Sequence, residues 1–165
     1  MLLLVCGSAA FAGNTLGGHA ADQWGAKPSI IVSLASLVVT LSALGWAADE
    51  GPPIGLPISI VALAAWATAG WSLTPSLAHR LVALTPEAGS EVLSLNTSAI
   101  YLGIAASAAV GGPVLADLGA AQLGFTAAAL QLLALAVVIC APSRPQADDN
   151  AATEIQTESA LVSTR

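Results

Sequence analysis

The sequence predicts an all-α membrane protein of five transmembrane helices, on three observations. Charged residues make up 8% of the chain and hydrophobic residues 56%, with a mean hydropathy of +0.80. A water-soluble domain carries about 25% charged residues, so this chain has too few to cover a water-facing surface, and its main solvent must be the bilayer. Long apolar runs recur at 2–18, 29–48, 54–78, 92–115 and 120–141. The breaks between them collect glycine, proline and charge, the punctuation expected where a chain leaves lipid and turns back.

The first run, 2–18, is 17 residues long. At about 1.5 Å per residue it reaches roughly 26 Å, enough to cross a hydrocarbon core of about 30 Å with local thinning. Gly7, Gly13 and Gly17 are small residues that let another helix approach. Ala10-Phe11-Ala12 imitates a signal-peptidase site, but Met1–Val5 has no Lys or Arg, which leaves out the positive start of a signal peptide. The break 17–28, GGHAADQWGAKP, follows as a polar loop. Gly17 and Gly18 are expected to close the first helix and to allow tight packing, and Pro28 suits the first position of the next. The second run, 29–48, is strongly aliphatic. Its Ser and Thr hydroxyls can bond back to the helix, which makes them tolerable in lipid. Trp46 suits the interface near its end.

Asp49-Glu50-Gly51-Pro52-Pro53 is an acidic turn, and its proline pair ends any helix running into it. The third run, 54–78, carries Pro57, Trp66, Trp71 and Pro75. A polar junction, 79–91, leads to the fourth run, which holds Ser94, Asn96, Thr97, Ser98, Tyr101 and Ser107. Asp117-Leu118-Gly119 is a tight turn before the fifth run, 120–141. The polar tail, 142–165, has no periodicity and is expected to be a disordered cytoplasmic segment.

Lys27 lies in the first break, Arg80 in the third and Arg144 at the start of the tail, while the second and fourth breaks hold only acids. The bias of basic residues toward the cytoplasm places the first and third breaks and the tail inside the plasma (cytoplasmic) membrane, with the N-terminus outside. An uncharged exterior start and an odd number of spans suggest a fragment lacking something N-terminal. Nucleic acid is excluded as a partner, because no basic patch interleaved with aromatics exists. Four of the ten acids lie in the tail, so the net charge of −6 says little about partners. Cys6 and Cys140 sit in separate apolar runs as small apolar residues. There is no catalytic motif, no metal-ligand spacing and no cofactor fingerprint, so no enzyme is expected. His19 and His79 are isolated interfacial residues.

A weak internal echo is present. Gly17-Gly18, Asp22 and Gly25-Ala26 are spaced much like Gly111-Gly112, Asp117 and Gly119-Ala120. An inverted transporter repeat would give such copies on opposite faces; so would chance in a Gly/Ala-rich chain.

Gly18-x3-Asp22-x2-Gly25-x-Lys27 resembles the signature after the second helix of each half of the major facilitator superfamily, roughly G-x3-D-R-x-G-R-R/K. Gln23 and Ala26 stand where that pattern has arginines. The stretch 85–98, TPEAGSEVLSLNTS, followed by Tyr101-Leu102-Gly103, resembles the start of the eleventh helix in the drug:proton antiporter branch, among arabinose-efflux-like and purine-efflux-like permeases. The resemblance covers residues 1–141 and aligns the five runs with family helices eight to twelve. It implies part of the C-terminal half of a 12-helix efflux permease, with helix seven and an N-terminal half as missing partners. It further implies a small-molecule substrate and a gating latch in which Asp22 holds helices together at the cytoplasmic side. An ordinary solvated turn would also explain Gly18, Asp22, Gly25 and Lys27. From the residues alone, an Asp here could cap a neighbouring helix.

No run carries an ionised residue near its centre, so no proton relay is visible. By resemblance the third run is a cavity-lining helix. Ser59, Trp66, Gly70 and Thr74 share one face of it, and hydroxyls flanking an aromatic suit a semi-polar ligand. Simple packing, with Trp66 filling a gap, suits the same spacing. Asn96 and Tyr101 are candidates for cavity lining or for interhelical hydrogen bonds. Gly103, Ser107 and Gly111 form a small-residue packing stripe. The expected function is small-molecule efflux by a complete permease, with this portion inactive alone. The alternative is a small non-transporting membrane protein packed against a partner.

Overall fold

The computed structural model describes residues 2–84 and 86–141, so the tail expected at 142–165 lies outside the described residues. The chain is all-α: α1 Leu2–Trp24, α2 Ala26–Asp49, α3 Pro52–Leu84, a single 3₁₀ turn Pro86–Ala88, α4 Gly89–Leu118 and α5 Ala120–Cys140. Four of these, α2 to α5, are long and apolar enough to cross a membrane. The chain is therefore membrane-embedded in character. α1 is 23 residues long but is not among the helices that meet the apolarity requirement, so the five expected spans stand as five helices, four of them clearly span-like.

The helices overrun the expected spans, and the breaks shrink to almost nothing. The expected loop 17–28 is helical except at Gly25, whose φ is 85° and ψ 157°. Gly17 and Gly18 do not close α1. The physical reason is that Gly17 is used for packing, and the polar residues beyond it fall on an exposed side. His19 and Gln23, one turn apart, are joined at 2.9 Å. Pro28 accordingly sits inside the first turn of α2 rather than at its first position. Likewise α3 runs through most of the expected 79–91 junction to Leu84, and Pro57 and Pro75 lie inside it. Pro113 lies inside α4. Each such proline frees one carbonyl of its helix, a cost tolerated where neighbouring groups re-satisfy it.

Contacts along the helices fix their directions. Gly13 lies against the Thr68 carbonyl and Gly17 against the Ser72 carbonyl, so α1 and α3 run parallel. Ser33 meets Ser72, while Gly55 lies against the Ala47 carbonyl, so α2 and α3 are antiparallel. Lys27 reaches Ala141, and a Cβ on Gly124 would come within 2.6 Å of Gly45, so α5 runs antiparallel to α2. Gly111 near Leu123 completes the α4–α5 hairpin. The chain thus passes up and down five times, with α3 between α1 and α2, and α2 between α3 and α5.

Small residues build the core. Ala21, Ala47, Ala62, Ala67, Ala69 and Ala128 are buried, with Ile30, Leu34 and Leu37 the only larger buried apolar side chains among the described residues. Large apolar side chains point outward instead: Phe11 is 77% exposed and Leu102 72%. Lipid is as apolar as leucine, so association relies on close backbone approach and interhelical hydrogen bonds rather than on hiding bulk. Hydroxyls in the helices bond back to carbonyls one turn earlier, as expected for the second run. Ser42 donates to Val38 at 2.8 Å, and Thr68 to Ala64 at 2.9 Å. α4 is the exception to packing: it has no buried residue.

Candidate functional site

Two one-residue joints stand out. Gly25 links α1 to α2, and Gly119, with φ 89° and ψ 177°, links α4 to α5. Both occupy a backbone region essentially restricted to glycine. Each carbonyl then accepts from the amide four residues on, Ser29 at 3.4 Å and Leu123 at 3.3 Å. The sequence echo around Gly25-Ala26 and Gly119-Ala120 therefore has a matching backbone shape. Because Lys27 lies at the C-terminal end of α5 and Gly45 lies near its start, the joints sit at opposite ends of the bundle. Along the 21 residues of α5 that separation is roughly 31 Å.

At the first joint, Lys27 donates to the Ala141 carbonyl at 2.8 Å. A cation there complements the negative end of the α5 dipole and ties the joint to the last helix. Ser29 is buried, and its hydroxyl donates to the Gly25 carbonyl at 3.0 Å. Asp22 is exposed, Gly18 has open space where a Cβ would stand, and α2, α4 and α5 begin without a side-chain cap. Of the four motif residues, Gly25 and Lys27 thus organise the joint, while Asp22 faces outward.

Beside this joint lies a cavity of about 370 Å³ between α1, α2 and α3. Leu16, Gly17 and Ala20 form one wall, Val32, Ser33 and Ser36 another, and Ala65, Thr68, Ala69 and Ser72 the floor. Trp24, 64% exposed, stands at its rim. A chain of hydroxyls stitches the three helices together beneath it. The fully buried Ser76 donates toward the Gly17 carbonyl at 3.2 Å and the Ser72 carbonyl at 3.1 Å. Ser72 in turn pairs with Ser33 at 2.8 Å. In the sequence only the one-turn spacing of Ser72 and Ser76 hints at it.

The cavity residues expected on α3 do not line this space. At about 100° per residue, Ser59, Trp66, Gly70 and Thr74 lie roughly 140° around α3 from its floor. Ser59 is half-buried, Trp66 and Thr74 are exposed, and Gly70 has the Leu37 side chain beside it. On α4, Asn96 is half-buried and Tyr101 is 68% exposed. Of the expected packing stripe, Gly111 meets Leu123, whereas Gly103 has no neighbour and Ser107 is exposed, bonding back to Ile104 at 2.7 Å. The close approaches are made by Gly13, Gly17, Gly45, Gly55 and Gly124 instead. Among the described residues no group of His, Cys, Asp and Glu comes together in a way that could hold a metal. The chain matches no known family model and no solved structure.

Proposed function

We propose that this chain is the C-terminal part of a small-molecule efflux permease of the major facilitator type, equivalent to its helices eight to twelve. The observation that carries the proposal is the up-and-down run of five helices with the Gly18, Asp22, Gly25, Lys27 pattern running across the α1–α2 joint. Three further features support it. The motif's Gly25 and Lys27 sit where α1, α2 and α5 meet, a place from which relative helix movement can be controlled. Trp66, Thr74 and Tyr101 are not consumed by packing and remain open to a further half. α4, with nothing buried, has its whole length available for the same contact. In a complete protein the substrate would pass between two six-helix halves that rock about the site. The chain would lie in the cytoplasmic membrane with its N-terminus outside. Asp22, exposed here, would latch onto a helix of the other half.

Transport is therefore expected only from a longer chain in which further spans precede Met1. There Asp22→Ala should slow efflux at least several-fold and change which face is open to cysteine reagents. Unchanged transport and accessibility would remove the latch. The five helices alone, reconstituted in liposomes, should move no substrate, and robust efflux by them would overturn the partial-transporter reading.

A further inference from the structure

The cavity between α1, α2 and α3 has polar capacity that the helices themselves do not use. Its side-chain polar groups are hydroxyls and, at the rim, the Trp24 indole N–H, and no charged side chain lines it. Donor counting assigns them. Ser72 lies 2.8 Å from the Ala69 carbonyl, which has no proton, so the Ser72 proton is committed there. Ser33, 2.8 Å from Ser72, must then be the donor in that pair, and its own oxygen keeps free lone pairs. Thr68 is committed to the Ala64 carbonyl of its own helix and Ser29 to the Gly25 carbonyl of the joint. Ser36 is different: it lines the cavity and has no hydrogen bond. One turn of α2 thus offers an acceptor at Ser33 and a donor at Ser36, three residues apart and on one face.

We infer that this cavity binds a membrane-dissolved lipophilic alcohol, whose hydroxyl donates to Ser33 and accepts from Ser36. The inference is independent of transport. A carboxylate or ammonium would be left unpaired, because nothing charged faces it. An alkane would offer Ser36 no partner. An alcohol is the simplest neutral group that donates and accepts at one atom. The remaining walls, from Leu16, Ala20, Val32, Ala65 and Ala69, suit an alkyl body. The volume of about 370 Å³ falls within the usual range for small-molecule sites. Ser33 and Ser36 lie about 10–15 Å along α2 from Ala26, deep enough for the ligand to arrive from the hydrocarbon. An alcohol there lacks water as a partner, which raises the gain from pairing.

The test uses the full chain in lipid nanodiscs and photoreactive diazirine analogues of dodecanol, dodecyl methyl ether and dodecane, with labelled residues mapped by mass spectrometry. The dodecanol probe should label the α1–α3 cavity walls, be competed by unlabelled dodecanol, and require a several-fold lower concentration than the ether or the alkane. Ser36→Ala should raise its half-saturating concentration about 3- to 10-fold, the loss of one neutral hydrogen bond. Ala65→Leu, which fills the space, should abolish that labelling while leaving helical content unchanged. Equal labelling by alkane and alcohol, label spread evenly over the exposed helix faces, or labelling unaffected by Ser36→Ala or Ala65→Leu would each overturn the inference.

Discussion

Gly17→Leu is expected to separate α1 from α3 and to leave the purified chain unfolding far more readily in detergent. A Cβ at Gly17 would collide with the Ser72 carbonyl, a backbone atom that cannot swing aside as a side chain does. α1 would have to move away bodily, taking the Gly17 carbonyl from the buried Ser76 hydroxyl. Overpacking alone costs about 1–3 kcal/mol, and the Ser76 hydroxyl keeps only the Ser72 carbonyl as acceptor. Against a total stability of only about 5–15 kcal/mol, that is a large loss. The neighbouring position is the control. Gly18 has open space, so Gly18→Leu should be close to neutral and Gly18→Ala mildly stabilising, by up to about 1 kcal/mol, as a glycine leaves a helix interior. Denaturant titration followed by helical circular dichroism reads the difference. Equal midpoints for Gly17→Leu and Gly18→Leu would mean that α1 does not seat on α3.

Gly25→Ala and Gly119→Ala form the second large effect. Both glycines hold positive φ with extended ψ, where a Cβ costs about 1–3 kcal/mol. Because the joints lie at opposite ends of the bundle, the two losses should add nearly fully in the double variant. The same denaturant titration checks this. An alanine tolerated without loss at either position would show that the joint does not turn there as described. Gly25 also marks where the family-like motif has structural content: its conformation is what lets Lys27 reach the end of α5.

The existence and order of the helices were legible in the sequence because twenty-residue apolar runs leave little choice in lipid. Their ends were not legible. Glycine serves both as a helix terminator and as a packing surface; Gly17 fits both roles in the sequence and takes only the second. The single residue that does break the helix, Gly25, is one of several glycines in the same stretch, and nothing local distinguishes it. The cavity between α1, α2 and α3 was not legible for a related reason. Trp66 draws attention on α3, but Ser72 and Ser76, which look like ordinary back-bonding hydroxyls, are the residues that connect three helices. Only a neighbour's position reveals that, and periodicity within one helix does not carry it. Of the expected small stripe on α4, only Gly111 meets a neighbour within this chain, because α4 packs lightly against the other four helices.

Five successive membrane crossings are the basis of the proposed function, and side-specific cysteine labelling tests them most directly. In a Cys6→Ser, Cys140→Ser background, single cysteines at the exposed positions Gln23, Glu50, Glu87 and Asp117 would be challenged with an impermeant maleimide in intact cells and after lysis. Cysteines at Glu50 and Asp117 should react in intact cells, and those at Gln23 and Glu87 only once the membrane is opened. Reaction of Gln23 and Glu50 positions from the same side would contradict the crossing of α2, and with it the transporter topology.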